Sequence, residues 1–267
     1  MSGASLSVHL LGPVTVRRGE SILEVGVWKR KKAKALLALL ALQRGRAIHR
    51  DVLISKLWPD ADSKTALNHF NDVVFALREV LEPKREASGP CQYVHYVDGR
   101  CHLSLGPAGW LDVDLFENRM RAASTSHVDD RIFYLERAVE LYSGPLASDL
   151  PKEEWCRAER GRLHEMYVAG LTRLAAEHEG KAALDAAAQC WRRILATDCR
   201  LEEAHRALIS LNTKMGRWTE AAEQYQECTR ILRESLAMSP DVATTSVYRR
   251  AVRWTSSKED DARTSNE

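Results

Sequence analysis

One stretch, Thr65 to Leu81 (TALNHFNDVVFALREVL), constrains the fold more than any other. Leu67, Phe70, Val74, Leu77 and Leu81 recur at spacings of three and four, which predicts a helix with one apolar stripe. Thr65, Asn68, His69, Asp72, Ala76 and Glu79 fall on its opposite face. Beyond this helix lies QYVHYVDGRCHLSL, two β-rich runs joined by Asp98-Gly99. Asp-Gly between such runs signals a tight hairpin, because both turn residues need φ > 0.

Upstream, Arg50 to Trp58 (RDVLISKLW) reads as a shorter helix, ended by Pro59. The loop to the longer helix is PDADS, with Asp62 or Ser63 as N-cap. Helix, loop, longer helix and hairpin follow one another in the order of a winged helix-turn-helix. There the second helix enters the major groove of double-stranded DNA and the hairpin is the wing. The expected readers on the polar face are Thr65, Asn68, His69 and Asp72, with Asn68 suited to adenine and Asp72 to a cytosine amino group. Arg50, Lys64 and Arg78 add cations to the same two helices. Arg100, just past the wing turn, either follows a minor groove or phosphate or simply faces solvent.

Ahead of these elements, Ser7 to Gly12, Val14 to Arg17 and Ile22 to Val25 read as short strands of a small antiparallel sheet. Lys29 to Gln43 is an Ala/Leu-rich helix that ends near Gly45. Its first turn holds Lys29, Arg30, Lys31, Lys32 and Lys34. Cations there oppose the helix dipole, at about 0.3–1 kcal/mol each, so the cluster is better used on phosphate than left in solvent. Lys31 and Lys32 are the expected phosphate contacts. Ala47 to His49 can add one more strand.

A chain of 267 residues suggests two domains. Residues 1–106 carry 16 Lys/Arg against 10 Asp/Glu, and residues 107–267 carry 23 against 27. A basic first half beside a mildly acidic second half fits a polyanion met by the first half alone. The longest apolar run, Ala35 to Leu42, is far short of the roughly 20 residues of a membrane span. No secretory signal is recognisable, so the expected location is the cytoplasm. The six cysteines are scattered without CxxC pairs, which fits reduced thiols.

From Trp110 onward the pattern reads as helices only. Self-comparison finds a 34-residue period: Ala187 and Trp191 match Ala221 and Tyr225, and Ala175 matches Ile209. Units 168–201 and 202–235 each read as a helix pair in tetratricopeptide (TPR) style, and Ala138 and Tyr142 suit a third, earlier copy. Val242 to Trp254 would cap the stack. The expected fold is thus an α+β winged helix-turn-helix over 5–106 and an all-α TPR-like domain over 110–254, with a disordered polar tail at 255–267.

Taken together, LGPVTVRRG, KAKALLALLAL, RDVLISKLWPD, ALNHFNDVVFALREVLEP, WLDVDLFE, ELYSGPLASDL and LRESLAMSPDVATTSVYRRAV resemble the SARP type of bacterial transcription regulator. The resemblance runs from about Leu6 to Val252 and rests on the order and spacing of all seven segments. It implies a winged helix like that of response regulators joined to a TPR-like bacterial transcriptional activator domain. It also implies an activator whose loop Pro59 to Ser63 touches RNA polymerase; Asp60 and Asp62 either make that contact or belong to a plain capped turn. The family places basic residues around Phe75-Ala76 and then Leu-Arg-Arg. Here the run is FALRE, which keeps only Arg78. That departure fits binding as a homodimer, on repeated half-sites or with a partner's help.

No receiver or NTPase module is recognisable in the sequence, and none is expected. Control therefore falls to expression level, covalent modification, or an unidentified ligand or protein on the TPR-like domain. No Gly-rich phosphate loop, GxSxG or HExxH is present, so nothing points to catalysis or calls for a cofactor. Cys91, His95, Cys101 and His102 could converge across the wing, but their spacing matches no common zinc pattern. The competing reading is a TPR-type interaction or ligand-sensing module whose winged helix no longer binds DNA tightly.

Overall fold

The computed structural model describes residues 5–23, 28, 31–83 and 91–252. Lys29 and Arg30 of the basic turn, residues 24 and 25 of the third expected strand, and the tail at 255–267 lie outside the described residues. The chain forms two compact units, one of residues 1–125 with 137–166 and the other of 126–136 with 167–267. This grouping differs from the change of element type at 106–110, for a reason visible in the hydrogen bonds of the first unit.

That unit opens with β1 (Leu6–His9), β2 (Thr15–Arg18) and β3 (Ser21–Leu23), an antiparallel meander. A fourth strand completes the sheet: β7 (Trp110–Leu111) runs parallel to β1, in the order β3-β2-β1-β7. This strand departs from the helices-only pattern expected from Trp110 onward. Two residues carry no periodicity, so this strand exists only through its partner. Directly after it, α4 (Asp112–Thr125) begins with a carboxylate that is 1% exposed. Asp112 accepts from the N–H groups of Leu10, Leu11 and Val113 at 2.8–2.9 Å. Burial pushes its carboxyl above the ordinary range, and the N–H groups of Leu11 and Leu10 pull it back.

The same corner is closed from a third place in the chain. After α5 (Val128–Leu141), Ser143 donates its N–H to the Leu11 carbonyl, Ala147 to Leu10 and Ser148 to Gly12, at 2.8–3.0 Å. Gly12 has φ 132, and a Cβ there would collide with the Ser143 hydroxyl, so glycine is required. Arg160 clamps this segment by donating to the carbonyls of Leu146, Ala147 and Leu150. Three stretches far apart in sequence thus satisfy one another's buried backbone groups.

Against this frame sits α1 (Lys31–Ala41), in which Ala33 through Ala41 are all buried. A short helix apolar on every side is a core element. It packs against α2 (Arg50–Leu57), α3 (Ser63–Leu81) and the second sheet. That sheet is β4 (Ile48–His49), β6 (Arg100–Leu103) and β5 (Val94–Val97), in that order.

The second unit is helical. It includes the C-terminal part of α6 (Arg157–Gly180), α7 (Leu184–Thr197), α8 (Glu202–Lys214), α9 (Trp218–Leu236) and a final helical run over 242–252. Consecutive members of α7, α8 and α9 pack on one another. The 34-residue period holds in the backbone as well: Ala182 and Gly216, one period apart, turn the chain between paired helices with φ 57 and 73. Ala175, Ala187, Ile209 and Ala221 are fully buried, as small or branched residues at a close helix crossing must be. Tyr225 stacks on Tyr248 with ring centroids 4.1 Å apart, joining the final run to α9. His205 is buried with both ring nitrogens engaged, by the Cys199 carbonyl and the Gln224 amide. Among the described residues no helix is long and apolar enough to cross a membrane.

Asp112→Ala strands the N–H groups of Leu10 and Leu11 inside the first unit. At roughly 1–3 kcal/mol for each unsatisfied group, urea unfolding should show a loss on the order of 3–5 kcal/mol. A loss below about 1 kcal/mol would mean that the corner is held by packing alone.

Candidate nucleic-acid interface

The candidate interface is built from α2, α3 and the hairpin β5–β6. Buried on the inner face of α3 are Ala66, Phe70, Val73, Val74, Leu77 and Leu81. The expected stripe is corrected at one position: Leu67 is only half-buried, and Ala66 and Val73 take its place. A spacing rule cannot tell which flank of a stripe meets the neighbouring helix.

The helix is fixed at both ends. Asp62 is the N-cap, accepting from the Thr65 N–H at 3.0 Å, so Ser63 is already helical. Its hydrogen bonds to Thr65 hold the Asp62 carboxyl below the ordinary carboxylate range. At the other end Arg18 of β2 donates to the Leu81 carbonyl at 2.9 Å. Glu82 accepts from the N–H groups of Gln92 and Tyr93, which seats the start of the wing on the end of α3.

The wing turn has the expected form, with Asp98 at φ 49 and Gly99 at φ 72. Its register pairs Val97 with Arg100 and His95 with His102. The Gly99 carbonyl accepts from the Arg50 N–H at 2.8 Å, tying the wing tip to the start of α2. A Cβ on Gly99 would press on the His49 ring, so the position needs glycine for space as well as for φ. Tyr96 packs edge-on against Phe70, 5.5 Å between centroids, and its hydroxyl lies 3.4 Å from the Arg50 guanidinium. Wing and helices therefore form one rigid piece.

The proposed site residues separate into two groups. Lys64, Thr65, Asn68, His69 and Asp72 are all exposed on the outer face of α3, and Arg100 is exposed at the wing tip. His69 leans towards Trp58, with ring centroids 6.1 Å apart across the α2–α3 connection. Asp60 is exposed in that connection, whereas Asp62 is engaged as the cap. Lys31 is exposed at the start of α1.

The second group is engaged by other groups of the unit. Lys32 pairs with Glu153 at 2.7 Å. Lys34, 8% exposed, pairs with Asp149 at 2.5 Å and lies over the Trp28 ring. Asp149 in turn accepts from the Val14 N–H. Arg78 donates to the Val94 carbonyl at 3.2 Å, so it ties α3 to β5. Arg50 is shared between Tyr96 and Asp51. Lys32 and Lys34 of the basic turn thus neutralise a loop more than a hundred residues away, which local sequence could not reveal.

The sequence reading also missed two outward residues. Asn71 and Phe75 are exposed on α3, Phe75 at 61%. The available signal was that neither belongs to the apolar stripe. At the wing, His95 and His102 stack face to face with centroids 4.6 Å apart, while Cys101 is buried and its thiol pushed up to about 12. No group of three or more metal-ligating side chains occurs among the described residues.

Comparison with known proteins decides the family. The model of the bacterial transcriptional activator domain matches residues 111–252, more than half of the chain. The chain belongs to the bacterial transcriptional activator domain family. Within it the protein is of SARP type, the winged helix preceding the activator domain. The transcriptional regulatory protein MoaR1 of Mycobacterium tuberculosis is 22% identical over 266 residues, covering 94% of this chain and 81% of the relative. The transcriptional regulator RedD of Streptomyces coelicolor is 23% identical over 242 residues, covering 89% and 68%. Among solved structures, Mycobacterium tuberculosis EmbR in complex with a low-affinity phosphopeptide superposes with a TM-score of 0.70 at 21% identity. That likeness covers 94% of this chain and 66% of EmbR, and it shows the shared fold.

The two kinds of lysine in α1 can be told apart by melting. Lys34→Ala leaves Asp149 without its partner beside the core and should cost on the order of 3 kcal/mol. Lys31→Gln should leave the melting temperature unchanged. Equal stability of both variants would remove Lys34 from the frame.

Proposed function

We propose that this SARP-type regulator binds double-stranded DNA sequence-specifically and activates transcription by recruiting RNA polymerase. In this reading residues 5–106 carry DNA recognition and 110–254 the activator domain. The observation that carries it is the outer face of α3, where Lys64, Thr65, Asn68, His69 and Asp72 stand exposed on a helix locked to a wing. The outer face of α3, from its first turns to its middle, would enter the major groove, with Asn68 placed for an adenine and Asp72 for a cytosine amino group. Lys31 and Arg100 would position the duplex through phosphate.

The cations available to DNA are few, since Lys32, Lys34 and Arg78 are engaged elsewhere. Weak affinity per chain fits a homodimer on repeated half-sites. Asp60, exposed and free of the capping role that Asp62 fills, is the group of the α2–α3 connection placed to meet a basic patch on the polymerase.

Binding of the full chain to duplex DNA should weaken steeply with salt, as counterion release loses its drive. Asn68→Ala should cost about 1–3 kcal/mol on the specific duplex and little on scrambled DNA. A flat salt response would instead favour an interaction module whose winged helix meets protein. For the polymerase contact, Asp60→Ala should keep DNA affinity and lower transcription from the bound promoter. A variant that activates fully would take the α2–α3 connection out of the mechanism.

A further inference from the structure

Phe75 is the one large apolar side chain that α3 turns outward among its described residues, at 61% exposed. Single exposed apolar residues are common and need no explanation by themselves. This one is set apart by its neighbours. At about 100° per residue, Asn68, Asp72, Phe75 and Glu79 lie within about 60° of one another around the helix, directly opposite Phe70 and Leu77. Phe75 therefore stands on the face that also presents Asn68 and Asp72, within about 20° of Asn68.

Two carboxylates flank it on that face, Asp72 and Glu79, both exposed. Carboxylates are repelled by phosphate, so the contacts this face can favour on a duplex are with base edges, where Asp72 can accept from a cytosine amino group. The edges of the major groove present nitrogen and oxygen donors and acceptors, with one apolar group among them, the 5-methyl of thymine. An aromatic ring with no polar atom has that single match. Asn68 and Phe75 are about 10 Å apart along the helix axis, which spans about three base-pair steps where α3 follows the groove.

We infer that Phe75 is a specificity-determining residue that packs against the 5-methyl group of a thymine about three base pairs from the base read by Asn68. The inference rests on the DNA-reading function proposed above and adds to it one base type and the residue that selects it. The ring makes no core contact of the kind Phe70 makes, so its removal spares the fold.

The test uses the full chain and a duplex it selects from a random-sequence pool. Each thymine of the selected site is replaced in turn by deoxyuridine, which removes only the methyl. Wild-type protein should lose about fourfold in affinity at one such position, the worth of one buried methylene-sized group. Phe75→Ala should bind the thymine and deoxyuridine duplexes equally, and Phe75→Leu should keep part of the preference, with unchanged circular dichroism in both. The inference fails if Phe75→Ala retains the thymine preference, if no single thymine matters, or if Phe75→Ala binds DNA normally while transcription falls. The last result would set the ring against a protein. Asn68→Ala separates the two levels: relaxed specificity there with no effect at Phe75 overturns only the inference. Failure of the full chain to select any duplex overturns the DNA-reading function itself.

Discussion

The Asp112 carboxylate, buried at the junction of β7 and α4, accepts the N–H groups at the end of β1 and of its own helix. A charge placed there is unfavourable in itself, and several backbone donors with a helix N-terminus behind them are what make the placement tolerable. The consequences spread outward. Once Leu10 and Leu11 are held, their carbonyls and that of Gly12 are aimed at Ser143, Ala147 and Ser148. The docked segment brings Asp149 to Val14 and Lys34, and through Lys34 fixes α1. Helix α1 is the buried support on which α2, α3 and the wing sheet rest. The α2–α3–wing assembly thus owes part of its rigidity to a polar joint, because a fully satisfied hydrogen-bond network fixes the geometry of its members.

Charge is distributed in this protein by structural need as well as by partner. The five cations around the start of α1 look like a phosphate site in a linear view. In three dimensions Lys32 and Lys34 balance Glu153 and Asp149, and Lys31 remains exposed. Arg44 does the same at the other end of α1, pairing with Asp114 and Glu117 of α4 at 2.6 Å. Exposed pairs of this kind contribute little to stability and serve to orient. A net positive first half is therefore an upper bound on the charge offered to a polyanion.

The outer face of α3 is correspondingly sparse in cations. It offers an amide pair, an imidazole, two carboxylates and an aromatic ring. Side chains of that sort discriminate among base edges and add little to affinity, whereas affinity to DNA comes mostly from phosphate. The repeat unit, with its buried polar His205 and its ring stack of Tyr225 on Tyr248, is a separate all-α structure held by small-residue packing at a fixed period.

The sequence by itself determined whatever is local and periodic. The amphipathic α3, the Asp98-Gly99 turn and the 34-residue recurrence of Ala187 and Ala221 were legible because helix faces, positive φ and repeats leave their mark within a few residues or at a constant spacing. Tertiary structure decided what depends on partners distant in the chain. Strand β7 is two residues long and owes its existence to β1. Leu67 yields to Ala66 and Val73 in the core because the neighbouring elements lie on that side. Arg78 looked like a DNA contact and is held by the Val94 carbonyl, and Lys32 and Lys34 found carboxylates more than a hundred residues away. A cation's use is fixed by whichever acceptor folding brings within about 3 Å, and no local pattern records that distance.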